Sequence, residues 1–172
     1  MDARPQACSG TGGPDRAGGH VAFGSAPAVA LGLTVATEVD SARWSVGLEG
    51  RYDFPASARA TQGATARTSL AGAALVPCLR AARMWACAVV LLAHVEADAT
   101  EPGAPGVSDG FFFLGIGGRL ALHAGLPWDF ALRIGGEVLA HPIPFELTQN
   151  GHQLYKSSAV STTIGPALVR VF

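Results

Sequence analysis

Lysine is nearly missing from this chain: Lys156 is the single one among 12 basic residues. Charged residues of both signs reach only 15% of 172 residues, against roughly a quarter in ordinary soluble domains. Little is therefore left to cover a water-facing surface. Formal net charge is −1, so neither a basic patch for nucleic acid nor an acidic disordered tail is signalled. The lack of lysine, set beside heavy Ala and Gly usage, reads as codon bias without functional content. Long hydrophobic runs are missing too. The longest, Met84 to Ala93, falls short of the roughly 20 residues that a helical membrane span needs, which excludes a helical membrane protein. The opening residues MDARPQACSGTGGPDRAGGH hold no apolar core segment, so no secretory signal is visible. Cys8 in PQAC has no apolar run before it and does not read as a lipid-anchor site. With three cysteines, no Cys/His spacing suggests zinc, and no cofactor is indicated.

What is there is a hydrophobic chain cut up by turn formers. Apolar types make up 49%, mean hydropathy is +0.30, and 22 glycines and 11 prolines interrupt the sequence. Residues 1–18 show no periodicity and read as a disordered lead-in, with one domain expected over residues 19–172. There, segments of period two recur. Trp44, Val46, Leu48, Gly50, Tyr52 and Phe54 fall on one face, and Arg43, Ser45, Gly47, Glu49, Arg51 and Asp53 on the other. Such alternation means strand. Trp128, Phe130, Leu132, Ile134 and Val138 oppose Asp129, Arg133, Glu137 and His141, while Phe112, Leu114, Ile116, Leu120 and Leu122 oppose Arg119 and His123. Val29, Leu31, Leu33 and Val35 form one side of a strand with small residues opposite. Segments 64–78 and 84–96 are more uniformly apolar, and their faces are not separable by pattern. Strands are expected near 19–25, 28–38, 42–54, 64–78, 84–96, 110–123, 128–141 and 157–172. The class is all-β, an up-and-down antiparallel β-barrel of eight strands.

A soluble lipocalin-like barrel and a transmembrane barrel share this alternation turned inside out, and four features favour the transmembrane one. Charge is too scarce for a wet exterior. Links at 39–41, 79–83 and 124–127 are short, while those at 55–63, 97–109 and 142–156 are long, as outer-membrane barrels have it. Trp44, Trp85 and Trp128 each follow a short turn, whereas Tyr52, Phe54, the Phe111–Phe113 run and Tyr155 lie at the long-loop end. These are two aromatic girdles for the two interfaces of a bilayer. Finally, the last strand ends in Phe172, which is similar to the signal read by the bacterial outer-membrane assembly machinery, although Arg170 stands on the same face where an apolar residue is normal.

The segments HVAFGSAPAVALGL and SVGLEGRYDFPAS, the LVPCL…ACA pair and the terminal Phe together resemble an uncharacterised myxobacterial-type family of outer-membrane β-barrel proteins, over roughly residues 19–172. The resemblance implies a bacterial outer-membrane location, with membrane lipids and the assembly machinery as partners. It carries no activity. The chain departs from that pattern in showing no signal peptide, the mark of a fragment or of a misplaced start.

Few residues suggest chemistry. Cys78 and Cys87 flank the 79–83 turn at positions that pair across a hairpin, so a disulfide is expected, with Cα atoms roughly 4.4–6.8 Å apart, and an oxidising periplasm favours it. Arg43, Glu49, Arg51, Asp53, Arg67, Arg119, Arg133 and Glu137 are assigned to the polar face. Inside eight strands there is room only for side chains, so mixed charges there pair into a plug rather than line a pore. His94, Glu96 and Ser108 could make a hydrolytic set only by converging in space, and His123 and His141 are plain polar-face residues. Gly115-Ile116-Gly117-Gly118 lies within a strand, so it is not a phosphate loop and serves curvature or close packing. The reading is a non-enzymatic outer-membrane barrel with a structural or surface-binding role carried by its long loops. A soluble ligand-binding barrel and a lipid-modifying outer-membrane enzyme are the alternatives.

Overall fold

The structure is a computed structural model that describes residues 15–59, 65–100, 106–142, 146–149 and 152–170. Alternating residues form β1 (Asp15–Phe23), β2 (Ala30–Asp40), β3 (Trp44–Arg59), β4 (Thr65–Ala81), β5 (Met84–Thr100), β6 (Val107–Gly125), β7 (Phe130–Ala140) and β10 (Val160–Arg170). These eight close into an antiparallel barrel in the order β1-β10-β7-β6-β5-β4-β3-β2. A separate hairpin of β8 (Glu146–Gln149) and β9 (His152–Lys156) stands between β7 and β10.

The pleat sorts side chains as the sequence requires. On β3, Ser45, Glu49, Arg51 and Asp53 are buried in the lumen while Trp44, Val46, Leu48, Tyr52 and Phe54 are exposed outside. The same holds around the wall, where Leu31, Leu33, Val35, Leu92, Leu114, Ile116, Leu120, Ile134, Val138 and Ile164 all face outward. A contiguous apolar exterior of this extent is a liability in water and a requirement in a bilayer.

Several boundaries differ from the expectation. β1 begins at Asp15, so 15–18 are strand and not lead-in. β3 and β4 reach Arg59 and Thr65, and β5 and β6 reach Thr100 and Val107, so much of what reads as two long loops is ladder. Past the aromatic residues neither face needs to be apolar, so the alternation fades while the hydrogen bonds continue. β3 to β6 therefore have 16, 17, 17 and 19 residues against 9 to 11 for the other four strands, and one side of the wall is longer. The β8–β9 hairpin falls inside the expected 142–156 loop.

Local irregularities have local causes. The β3 register shifts between Asp53 and Ala56, where Pro55 has no N–H to give. The β1–β10 seam skips Gly165 and Pro166 for the same reason. Trp128 does not begin a strand. It lies in the link before β7, with φ of 62° at Trp128 and 60° at Asp129, the paired left-handed geometry of a tight hairpin turn. A Cβ on Gly117 would run into the Val138 carbonyl, which is the close packing expected within that glycine run.

Candidate functional site

The barrel's chemistry is concentrated in its lumen. Glu49 of β3 accepts from Arg119 of β6, Nη1 at 2.7 Å and Nη2 at 2.8 Å, and also from Arg16 of β1. Arg119 reaches on to Glu137 of β7, with Nη2 at 2.6 Å and Nε at 3.0 Å from Oε2. Glu137 also accepts from Arg51 Nη1 at 3.0 Å and from Thr163 Oγ1 of β10 at 3.3 Å. Arg51 forks onto Asp53, two positions along on the same face, at 2.9 and 3.1 Å. Asp53 Oδ1 lies 2.7 Å from His20 Nε2. Nearer the short-turn end, Arg133 Nη1 donates to Glu38 at 2.9 Å and Ser45 Oγ donates to the other Glu38 oxygen at 2.6 Å.

Four guanidinium groups (Arg16, Arg51, Arg119, Arg133) thus meet four carboxylates (Glu38, Glu49, Asp53, Glu137). Burial of unpaired charge is prohibitive, and a balanced, forked set removes that penalty. β3 and β7 are diametrically opposite in the barrel order, so the Arg51–Glu137 pair ties wall to wall. Around this network about 60 Å³ remains open to water-sized solvent, room for a few waters rather than a hydrated ion path. Among the described residues no group of His, Cys, Asp and Glu is arranged to hold a metal.

The other side of the lumen is apolar. Leu70, Ala74, Val76, Val89, Leu91, Ala93 and Val95 of β4 and β5 pack with Phe113, Ala121, Leu139 and Trp85. Cys78 and Cys87 are direct partners on this face and form a disulfide with Cα atoms 4.0 Å apart. That is below the expected span, and near the close spacing of non-hydrogen-bonded antiparallel pairs. The two halves meet where the Arg133 guanidinium lies 4.5 Å from the Trp85 ring centre.

Of the charges assigned by sequence, Glu49, Arg51, Asp53, Arg119, Arg133 and Glu137 lie in this network. Arg43 does not: β3 starts at Trp44, so Arg43 belongs to the exposed turn before it. Arg67 is also exposed, on the outer face of β4 opposite Asp98, because both faces of that segment are apolar and its parity was not legible. Trp85 is not in a girdle; it is 3% exposed and lies in the lumen. The two-residue turn between Ala81 and Met84 leaves Met84 outside and turns Trp85 inward, on the face of Cys87. Trp44, Trp128, Tyr52 and Phe54 face outward, the last two packed edge to face at 5.4 Å. Phe112 is outside as well, while Phe113 is buried within. The Tyr155 side chain, Phe172 and Cys8 lie outside the described residues. Arg16, His20 and Glu38 were missed. The first stood in what reads as a lead-in, and the others stood in strands whose inner faces read as small.

The candidate hydrolytic set is not assembled. His94 packs on Phe112 at 5.3 Å on the outer face, Glu96 registers with Gly110, and Ser108 registers with Asp98. None of the described hydrogen bonds joins the three. His123 is half-buried near the short-turn end. His141 is buried just past β7 with Nε2 2.8 Å from Ser161 Oγ. Its ring lies against that of Phe113, with centroids 4.2 Å apart.

No sequence profile of a known family and no curated protein matches the chain. Similar solved structures are outer-membrane barrels. The attachment invasion locus protein Ail of Yersinia pestis aligns with a TM-score of 0.60 at 12% identity, covering 92% of this chain and 99% of that one. The N-terminal β-barrel domain of Pseudomonas aeruginosa OprF gives 0.59 at 9%, covering 92% and 98%. Neisserial surface protein A gives 0.52 at 8%, covering 92% and 95%. What this chain shares with them is the fold, a closed eight-stranded barrel of the outer-membrane kind.

Proposed function

We propose that this chain is a small bacterial outer-membrane β-barrel protein, that its lumen is a structural plug and not a pore, and that it acts without catalysis. Its role is structural or surface-binding, exercised at the end of the barrel where β3 to β6 stand tallest. The observation that carries the reading is the inversion of the wall, with an apolar exterior around a charge-balanced, hydrogen-bonded interior. A soluble ligand-binding barrel would need the reverse, with an apolar cavity inside and charge outside. Lipids surround the wall, and the outer-membrane assembly machinery is the partner that inserts such a barrel. Ail has been crystallised with the heparin analogue sucrose octasulfate. At the end of this chain where β3 to β6 stand tallest, the exposed charges among the described residues are Glu96, Asp98 and Asp109 against Arg67, which favours a partner with positive charge.

Two measurements test this. The protein should partition with outer-membrane fractions and show heat-modifiable gel mobility; recovery in the soluble fraction would defeat the membrane reading. In planar bilayers the folded protein should give no stable, large unitary currents, because the lumen has space for a few waters only. Such currents would defeat the plug.

A further inference from the structure

Arg170 breaks the outer pattern of β10. Val160, Ile164 and Leu168 are exposed on the lipid side, and Arg170 continues that same face. Arg16 pairs with Val169 across the closing seam, which sets Asp15 beside Arg170, with Phe130 on the other flank of Arg170 and Thr37 next to Asp15. An open groove of about 550 Å³ lies over this row. Leu168 and Phe130 line one side of it, Val35 with Leu48 and Gly50 beyond it the other, and Ala17 lies between them. A second groove of about 330 Å³ continues along the outer face of β1 past Gly19 and Val21, between Leu31 and Leu33 on one side and Ile164 on the other. The small side chains of β1 sit lower than their neighbours and leave a furrow with an opposite-charge pair at its foot.

We infer that this furrow binds one phospholipid with a phosphoethanolamine headgroup, an inference that rests on the outer-membrane reading above. The guanidinium of Arg170 takes the phosphate, for which its planar fork is suited, and the Asp15 carboxylate accepts from the ammonium. One acyl chain lies along Ala17, Gly19 and Val21. Directly opposed strand residues lie about 5 Å apart, so the headgroup's two charges meet their complements side by side. A purely anionic headgroup would place its charge against Asp15 with nothing for that carboxylate to accept. A choline headgroup has no N–H to donate to it.

The test uses the full chain folded into vesicles of equal phosphatidylethanolamine, phosphatidylglycerol and phosphatidylcholine, with heat-modifiable mobility as the check that the barrel has formed. After mild detergent extraction, native mass spectrometry should show a mass increment of one phosphatidylethanolamine. Arg170→Gln should lose that increment. Ala17→Leu, which fills the furrow from the lipid side, should lose it with the barrel intact. Asp15→Asn should remove the preference for phosphatidylethanolamine over phosphatidylglycerol. A folded wild-type barrel that retains no lipid, retains the three equally, or keeps its increment in Arg170→Gln overturns the site. Failure of every variant and of wild type to give a heat-modifiable barrel overturns the membrane reading itself, and the site with it.

Discussion

The lumen has two halves built on opposite principles. Toward β1, β2, β3 and β7, with Arg119 of β6, long charged side chains reach across the barrel and fork onto one another. Toward β4 and β5, short and branched apolar residues fill the same depth, and a disulfide joins adjacent strands. Both halves exclude bulk water, by different physics. The apolar half gains transfer free energy residue by residue. The ionic half gains little net energy over an apolar filling, because each charge has been taken from water, but it tolerates no missing member. What it adds is geometry, since a fork such as Arg119 between Glu49 and Glu137 fixes the distance between β3, β6 and β7.

That contrast can be broken most strongly at the Glu38–Arg133 pair. Glu38→Met leaves Arg133 without its carboxylate and should destabilise the folded barrel by about 3–5 kcal/mol, read from urea unfolding in vesicles. Glu38→Met combined with Arg133→Met should recover most of that loss; a strictly additive double mutant would show that the pair is not coupled. In the apolar half, Leu91→Ala should cost about 3 kcal/mol from lost burial and the cavity left behind. Removing the Cys78–Cys87 bond, by reductant or by paired alanines, should lower stability by about 2–3 kcal/mol for so short a loop, without shifting the lumen ion pairs. Unchanged unfolding midpoints would show that the hairpin register is held by packing alone.

The same contrast explains what could be read from sequence. β3 was legible because its two faces differ at every step, Leu48 against Glu49 and Tyr52 against Arg51. β4 and β5 were not, because an apolar lumen faces one side and an apolar exterior the other, so Leu70 and Leu75 look alike although one is buried and one exposed. Arg67 and Trp85 were misplaced there, whereas Arg43 was misplaced at a strand end, because β3 starts one residue later than the alternation suggests. The disulfide was legible since symmetric spacing about a turn needs no knowledge of faces. The network was visible where long charges alternate with bulky residues. It was invisible at Arg16, His20 and Glu38, where glycine, alanine and threonine neighbours gave no contrast.

The closure of the barrel also governs how it can come into being. Arg16 and Val169 sit at opposite ends of the chain yet are neighbours in the wall, and the cross-lumen contacts Arg51–Glu137 and Glu38–Arg133 bridge 86 and 95 residues. No local hairpin can satisfy these groups, so loop-closure entropy must be met before the ion pairs contribute. Asp53 finds Arg51 and His20, and Glu49 finds Arg16, within β1 to β3. Glu38 has to wait for Arg133 of β7, and Glu49 for the second guanidinium, Arg119 of β6. The charged half thereby couples its own neutralisation to completion: a partial sheet leaves carboxylates unmatched, and only the closed barrel pairs them all.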